Sequence, residues 1–185
     1  GKKSLVSLVG ADGAGKTTQA KYIAETLRSQ GIRASYWKSP VFDWVRDMIR
    51  IIGSDQYGKD PYSDAVLFAG VHRIEQYLIR QMFEGRISSE FIKDAGTRRM
   101  LEGQPLPADV LIGQRGVTDF YSVFMTEGMS QEELTFLLRP TQMWEGYSYR
   151  PKEFIPPDLI VYLECNPNIA MSRIPREDKW EEVPF

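Results

Sequence analysis

This 185-residue sequence predicts an α/β fold in which a parallel sheet of about four to five strands carries helices on both faces. Three observations lead there. Short apolar runs alternate with amphipathic stretches along the chain, the pattern of strand–helix units around a sheet buried on both sides. The first apolar run passes at once into a glycine-rich turn and then a helix pattern. Hydrophobic content of 42% and charged content of 26% are ordinary for a single domain around one core, so residues 1–185 are read as one domain.

The elements follow in order. Residues 4–9 are a short apolar run, read as a buried strand. Residues 16–30 read as a helix, because Ala20, Ile23, Ala24 and Leu27 recur at helical spacing and Gly31 ends it. Residues 32–37 read as the second strand. Residues 41–52 read as a helix with Val41, Val45, Met48, Ile49 and Ile52 on one face. Residues 53–63 are turn-rich, and 64–83 form a long helix pattern. Another helix is expected over 88–101, stopped by Gly103, Pro105 and Pro107. Residues 109–113 read as the third strand. Two helices are expected at 118–127 and 131–138, the second opened by a Ser130/Glu133 capping box. Residues 139–157 are irregular. Residues 158–163 read as a fourth buried strand, and 168–174 begin a further helix. The strand order expected is 2-3-1-4.

Composition excludes several functions. A formal net charge of −2 argues against a nucleic acid polymer as partner, so basic residues are expected to gather at one anionic ligand site. No apolar run approaches the roughly 20 residues that span a bilayer, so no membrane partner is expected. Gly1-Lys2-Lys3 leads directly into a strand, leaving no room for a signal peptide, and the single cysteine, Cys165, suits a reducing compartment; the expected location is the cytoplasm. The single histidine, His72, excludes His-based metal sites and serine triads. It is read as a helix residue near the site rather than a catalyst. Cys165 is read as a small core hydrophobe. Trp144, Tyr147, Tyr149 and Phe154 cluster around Arg150 and are read as packing a loop onto the core, with a base-binding or oligomer surface as the alternative.

The segment with chemistry in it is Gly10-Ala11-Asp12-Gly13-Ala14-Gly15-Lys16-Thr17, followed by Thr18. It fits G-x-x-x-x-G-K-[ST] and lies between an apolar strand and an amphipathic helix, the context in which that pattern binds phosphate. Successive backbone N–H groups make an anion nest at the positive end of a helix. Lys16 can reach the β- and γ-phosphates of ATP, and the Thr17 hydroxyl can ligate Mg²⁺. The fold class is therefore a P-loop NTPase-type sheet, with residues 10–18 as the ATP-binding segment.

On these residues the chain resembles the thymidylate kinase family of nucleoside monophosphate kinases. The match begins at Asp12-Gly13-Ala14-Gly15-Lys16-Thr17-Thr18-Gln19. It continues at Leu67-Phe68-Ala69-Gly70-Val71-His72-Arg73-Ile74-Glu75-Gln76, similar to the family's LFxxxR helix with one extra residue before the arginine. Gln114-Arg115 stands at the place of the family's DRY motif. Pro157-Asp158-Leu159-Ile160-Val161-Tyr162-Leu163-Glu164-Cys165-Asn166-Pro167 follows, then Ala170-Met171-Ser172-Arg173-Ile174 and a lid-like Arg176-Glu177-Asp178-Lys179-Trp180-Glu181. The resemblance runs in order from about Lys3 to Glu182 and assigns the lid to residues 173–182.

It implies a site, residue by residue. Asp12 binds the acceptor sugar's 3′-hydroxyl, with capping of its own loop as the alternative. Arg115 clamps the acceptor phosphate; a surface ion pair is the alternative. Lys38 stands near the place of a family arginine, and a solvated loop lysine is an equal alternative. Arg73 reaches the acceptor nucleotide. Arg173 packs on adenine, or else lies on a helix surface. Arg176 closes over the phosphates, so the implied catalytic set is Lys16, Arg115 and Arg176. Gly13 occupies a place where some members carry arginine, and the lid supplies that charge here.

Departures from the family are equally specific. Gln114 replaces the family's aspartate, which helps hold the metal's water shell, and Gly116 replaces its tyrosine; Asp119 and Glu164 are the acids that could compensate. Ala69 falls at the base-stacking position, so thymine preference is not implied. Phe68 is carried as a substrate-binding candidate that needs the helix shifted by one residue. Residues 86–107 read as an insertion, and the family's C-terminal helix and last strand are lacking from 1–185. The expected reaction is transfer of the γ-phosphoryl of ATP, with Mg²⁺, to a nucleoside monophosphate; a homodimer is compatible with it. The alternatives are a P-loop kinase of another small acceptor and a nucleotide-binding module with impaired catalysis.

Overall fold

The computed structural model describes residues 2–52, 60–88, 90, 92–114, 117–138 and 155–174. Within them the four apolar runs become parallel strands β1 (Ser4–Val9), β2 (Ala34–Lys38), β3 (Val110–Gln114) and β4 (Leu159–Tyr162). Their order is β2-β3-β1-β4, as the sequence predicts. Leu8 and Lys38 both lie opposite Gln114, and Val9 lies opposite Tyr162. The strands therefore end on one rim, the edge outside which open α/β sheets bind ligands.

Alternation along the strands fills both faces of the sheet. On one face Leu8, Ala34 and Ile112 pack against Ala20 and Ala24 of α1 (Lys16–Ser29). Both alanines are fully buried, and their small side chains let the helix lie close to the sheet. On the other face Leu5, Trp37 and Leu111 meet Ile79, Met82 and Phe83 of α3 (Pro61–Glu84) and Met100 and Leu101 of α4 (Ala95–Leu101). Asp60 caps α3 by accepting bonds from the Tyr62 and Ser63 amides, and its bonds to Ser63 above all hold its carboxyl below its ordinary pKa. Gly85 ends that helix in the left-handed region at φ 69°. A third cluster joins Ala65 and Ala69 of α3 to Phe120 and Phe124 of α5 (Val117–Thr126) and Leu134 and Leu138 of α6 (Gln131–Leu138). The capping box forms at α6: the Ser130 amide donates to Glu133 at 2.8 Å and the Glu133 amide to the Ser130 hydroxyl at 3.2 Å.

The rim away from the loop is tied by charge. Asp109, just before β3, accepts two bonds from Arg33 at 2.9 Å and one from Lys3 at 3.4 Å. The Arg33 guanidinium holds the Asp109 carboxyl down at about 2.

Several expected boundaries move. The helix expected over 88–101 is limited to α4: Asp94 takes the Thr97 amide at 2.8 Å and so starts the helix there. Upstream, Ile92 is pinned by bonds from Arg98 to its carbonyl. Within 86–107, Met100 and Leu101 are buried in the core. The segment also docks on α2 (Asp43–Ile52), where Arg99 donates twice to Asp43. Val41 precedes α2 rather than belonging to it, its amide donating to buried Glu75 at 3.0 Å. Met48 faces out, whereas Val45 is buried. The fourth strand, expected to be buried, exposes Leu159, Ile160 and Tyr162. It lies at the sheet edge, with β1 as its partner among the described residues.

Candidate phosphate-binding site

Three glycines shape the turn from β1 into α1: Gly10, Gly13 and Gly15, at φ 144°, 80° and 88°. Two are also required by space. A Cβ on Gly13 would lie 2.1 Å from the carbonyl oxygen of Ala170 in α7 (Pro167–Arg173), and one on Gly10 would lie 2.6 Å from that of Leu163. The loop is thus clasped from the side by the chain leaving β4. Gly15, left-handed at the N-cap, offers no side chain to the first turn of α1, and that turn holds no acidic residue. Its N–H groups face outward with the helix's positive end, the arrangement that attracts an anion.

Lys16 is buried at 7% exposure. Its ammonium donates to the carbonyls of Gly10 at 2.5 Å and Ala11 at 2.9 Å and to Asp12 Oδ1 at 3.2 Å. The charge is held against its own loop. Thr17 donates its hydroxyl proton to Gln114 Oε1 at 2.8 Å. That direction leaves the Thr17 oxygen lone pairs free for a cation.

A metal would find a sparse set of protein ligands here. Among the described residues no group of three His, Cys, Asp or Glu is placed to hold a metal ion. Mg²⁺ commonly binds through one or two protein ligands and substrate phosphates. The donor set fits a cation carried on nucleotide phosphates, with Thr17 as protein ligand. Glu164 is exposed, and Asp119 lies in the first turn of α5.

The remaining site residues divide into two groups. Lys38 is half-buried at the end of β2, in register with Gln114. Arg173 is exposed and donates to the Gly13 carbonyl at 3.4 Å. The structure therefore brings residues 10–18, Gln114, Lys38 and Arg173 to one rim. Phe68 and Arg73 are engaged in helix packing. Phe68 tilts against Phe124 with ring centroids 5.8 Å apart. Arg73 donates to the Leu138 carbonyl, putting a cation on the C-terminal end of α6, and burial pushes its pKa below the ordinary value. Ala69, placed by the resemblance at the base-stacking position, is itself buried in the α3–α5–α6 cluster. His72 is buried, edge-on to Phe120 and 3.7 Å from Glu75. Arg115, Gly116, Arg176 and the aromatic cluster at 144–154 lie outside the described residues, as does the lid beyond Ile174.

Two participants were not visible as such in the sequence. Gln114 looked like a lost acid, yet its side chain holds Thr17; its place at the end of β3 was the signal. The contact of Ala170 with Gly13 joins residues too distant in sequence for any local pattern to announce.

A parallel sheet in this order, with a glycine loop running into a helix that carries a buried lysine, defines the P-loop class of α/β fold. Comparison with known proteins gives a more particular likeness. The family model described as thymidylate kinase matches residues 8–88. A curated thymidylate kinase of Pelotomaculum thermopropionicum is 32% identical over 90 residues, covering 46% of this chain and 42% of that relative. The match thus spans less than half of that relative's length. The crystal structure of thymidylate kinase from Ehrlichia chaffeensis superposes with a TM-score of 0.57 at 15% identity, covering 98% of this chain and 81% of that one. The likeness to the thymidylate kinase family is borne out, and the low identity over the full fold is consistent with a divergent relative.

Among the described residues, no helix is long and apolar enough to cross a membrane.

Proposed function

We propose that this protein transfers the γ-phosphoryl group of ATP to a nucleoside monophosphate. The observation that carries the reading is the loop itself: an uncapped, acid-free helix N-terminus with Lys16 buried beside it. The loop amides of residues 10–18 would cradle the triphosphate, with Lys16 leaving the Gly10 and Ala11 carbonyls for phosphate oxygens. Thr17 would hold Mg²⁺, which supplies charge neutralisation across the β- and γ-phosphates when bound. Arg173, already at the Gly13 carbonyl, would lie over the adenine. By the family likeness, Arg115 would clamp the acceptor phosphate, Arg176 would close the lid, and Asp12 would meet the acceptor sugar. Lys38, on the same rim, is the further cation for the acceptor. The roles that the family likeness implies for Phe68 and Arg73 need the α3–α5–α6 packing to open. An acceptor phosphate is largely dianionic at neutral pH, its second pKa being about 6, so alignment and charge neutralisation suffice without a general base.

Substitution of an amide for the acid at 114 favours a second reading, a nucleotide-binding module with little turnover. Calorimetric titration of ATP into wild type and Lys16→Ala tests the site common to both. Equal affinity in the two proteins would remove it. We place the activity in the cytoplasm, with Cys165 as a single thiol; a homodimer is compatible with this reading.

A further inference from the structure

We propose that Gln114 is a phosphate-facing donor: its Oε1 holds the Thr17 hydroxyl while its Nε2–H bonds a triphosphate oxygen, so nucleotide binding here depends only weakly on a divalent cation. This rests on the triphosphate-binding reading above. Gln114 is 2% exposed, and no described residue accepts a bond from Nε2. A buried donor left unmade is costly, and such groups in native structures call for a partner. The two ends of a carboxamide are about 2.3 Å apart, which follows from its bond lengths. With Oε1 at 2.8 Å from the Thr17 oxygen, Nε2 lies within about 5 Å of that oxygen, at the first turn of the helix that follows the loop. The backbone is fixed: the Ser39 amide donates to the Gln114 carbonyl at 3.1 Å, and Gln114 lies opposite Leu8 just before the loop.

The chemistry of the amide then selects its ligand. A carboxylate here would accept bonds from metal-bound water and repel a bare triphosphate. An amide N–H does the reverse: it opposes the protons of metal-bound water and attracts phosphate oxygen. Substituting the acid by Gln114 thus removes a negative charge from the nest and adds a donor to it. Lys16 and the loop amides already balance part of the triphosphate charge without a cation.

The test is ATP affinity by calorimetry, in EDTA and in excess Mg²⁺, for wild type, Gln114→Met and Gln114→Asp. Wild type should bind ATP in EDTA within about tenfold of its affinity in Mg²⁺. Gln114→Met keeps the shape but loses Nε2–H together with the acceptor of the Thr17 hydroxyl, and should weaken binding in EDTA by about tenfold, the usual scale for a hydrogen bond to a charged group; Gln114→Asp, which keeps a carboxylate acceptor and lacks the donor, separates the two losses. Nucleotide-free Gln114→Met should melt no lower than wild type. Gln114→Asp should weaken binding in EDTA at least as much and widen the EDTA-to-Mg²⁺ ratio. Unchanged affinity of Gln114→Met in EDTA, or an unchanged ratio for Gln114→Asp, overturns the proposal; should Gln114→Met not fold, Gln114→Asp decides. Wild type that binds no ATP in either condition overturns the triphosphate reading itself.

Discussion

Gly13 and Gly15 stand two residues apart in one loop, and the structure gives them different reasons to be glycine. Both are left-handed, at φ 80° and 88°. Placing an alanine in that region costs about 1–2 kcal/mol. A methyl group on Gly15 would meet nothing within 4 Å, so strain is its whole cost. At Gly13 the methyl would lie 2.1 Å from the Ala170 carbonyl oxygen and 2.6 Å from its carbon, both backbone atoms that no rotamer change can move. Overpacking of that kind adds about 1–3 kcal/mol. Gly13→Ala should therefore lose about 2–5 kcal/mol, a large part of the total stability of a domain. At about 2–4 °C per kcal/mol for a chain of this size, it should melt roughly 4–20 °C below wild type, and Gly15→Ala roughly 2–8 °C below. Urea unfolding and thermal melts of nucleotide-free protein measure both. Equal losses in the two variants, or a Gly13→Ala protein within about 0.5 kcal/mol of wild type, would refute the claim that α7 clasps the loop. A family-like arginine at 13 should cost at least as much as alanine, because it needs the same Cβ.

Other expectations can be measured alongside it. Lys16→Ala should fold and should lose ATP affinity by about ten- to a hundredfold, the range for charge-assisted bonds, as read by calorimetry. Arg176→Ala should lower kcat far more than it raises the KM for ATP if the lid contact forms in the transition state; a pure KM effect would assign it to ground-state binding. The Asp109 carboxyl, held at about 2 by Arg33 and Lys3, is depressed in the folded state. Its contribution is therefore complete above the unfolded value of about 4 and is lost as pH falls toward about 2. Asp109→Asn should be less stable than wild type at neutral pH, with the gap closing over that window; a gap constant from pH 7 to 2 would contradict the ion-pair account. Finally, dTMP should not lead dUMP, dCMP, dGMP and dAMP by more than about a hundredfold in kcat/KM, a gap of roughly 2.7 kcal/mol.

The sheet was legible because its information is local. Apolar runs, the glycine loop and the strand-to-helix punctuation recur over a few residues, and the order β2-β3-β1-β4 follows from the motif's usual topology. Capping was legible too, as Ser130 and Glu133 show. What failed was long-range. No periodicity tells that the helix begins only after Asp94, because Asp94 and the Arg98–Ile92 tether decide it. β4 looked buried because its residues are apolar, yet burial depends on neighbours an edge strand lacks among the described residues. The packing of Ala69 against the phenylalanines of α5 is likewise a contact that no local pattern announces. At the site, the loop was read from its pattern, but the meaning of Gln114 needed the fold. In the sequence it is an acid lost; in three dimensions it is the partner of Thr17.

The central claim is phosphoryl transfer from ATP to a nucleoside monophosphate. Its most direct measurement is ADP release, with product nucleotides resolved by chromatography, when ATP and Mg²⁺ are supplied with each common monophosphate and, separately, with the parent nucleosides. The account predicts a nucleoside diphosphate formed one-for-one with ADP from at least one monophosphate, no phosphorylation of the nucleosides, and no turnover by Lys16→Ala. ATP binding without product from any monophosphate, or phosphorylation of a nucleoside hydroxyl instead, would contradict it.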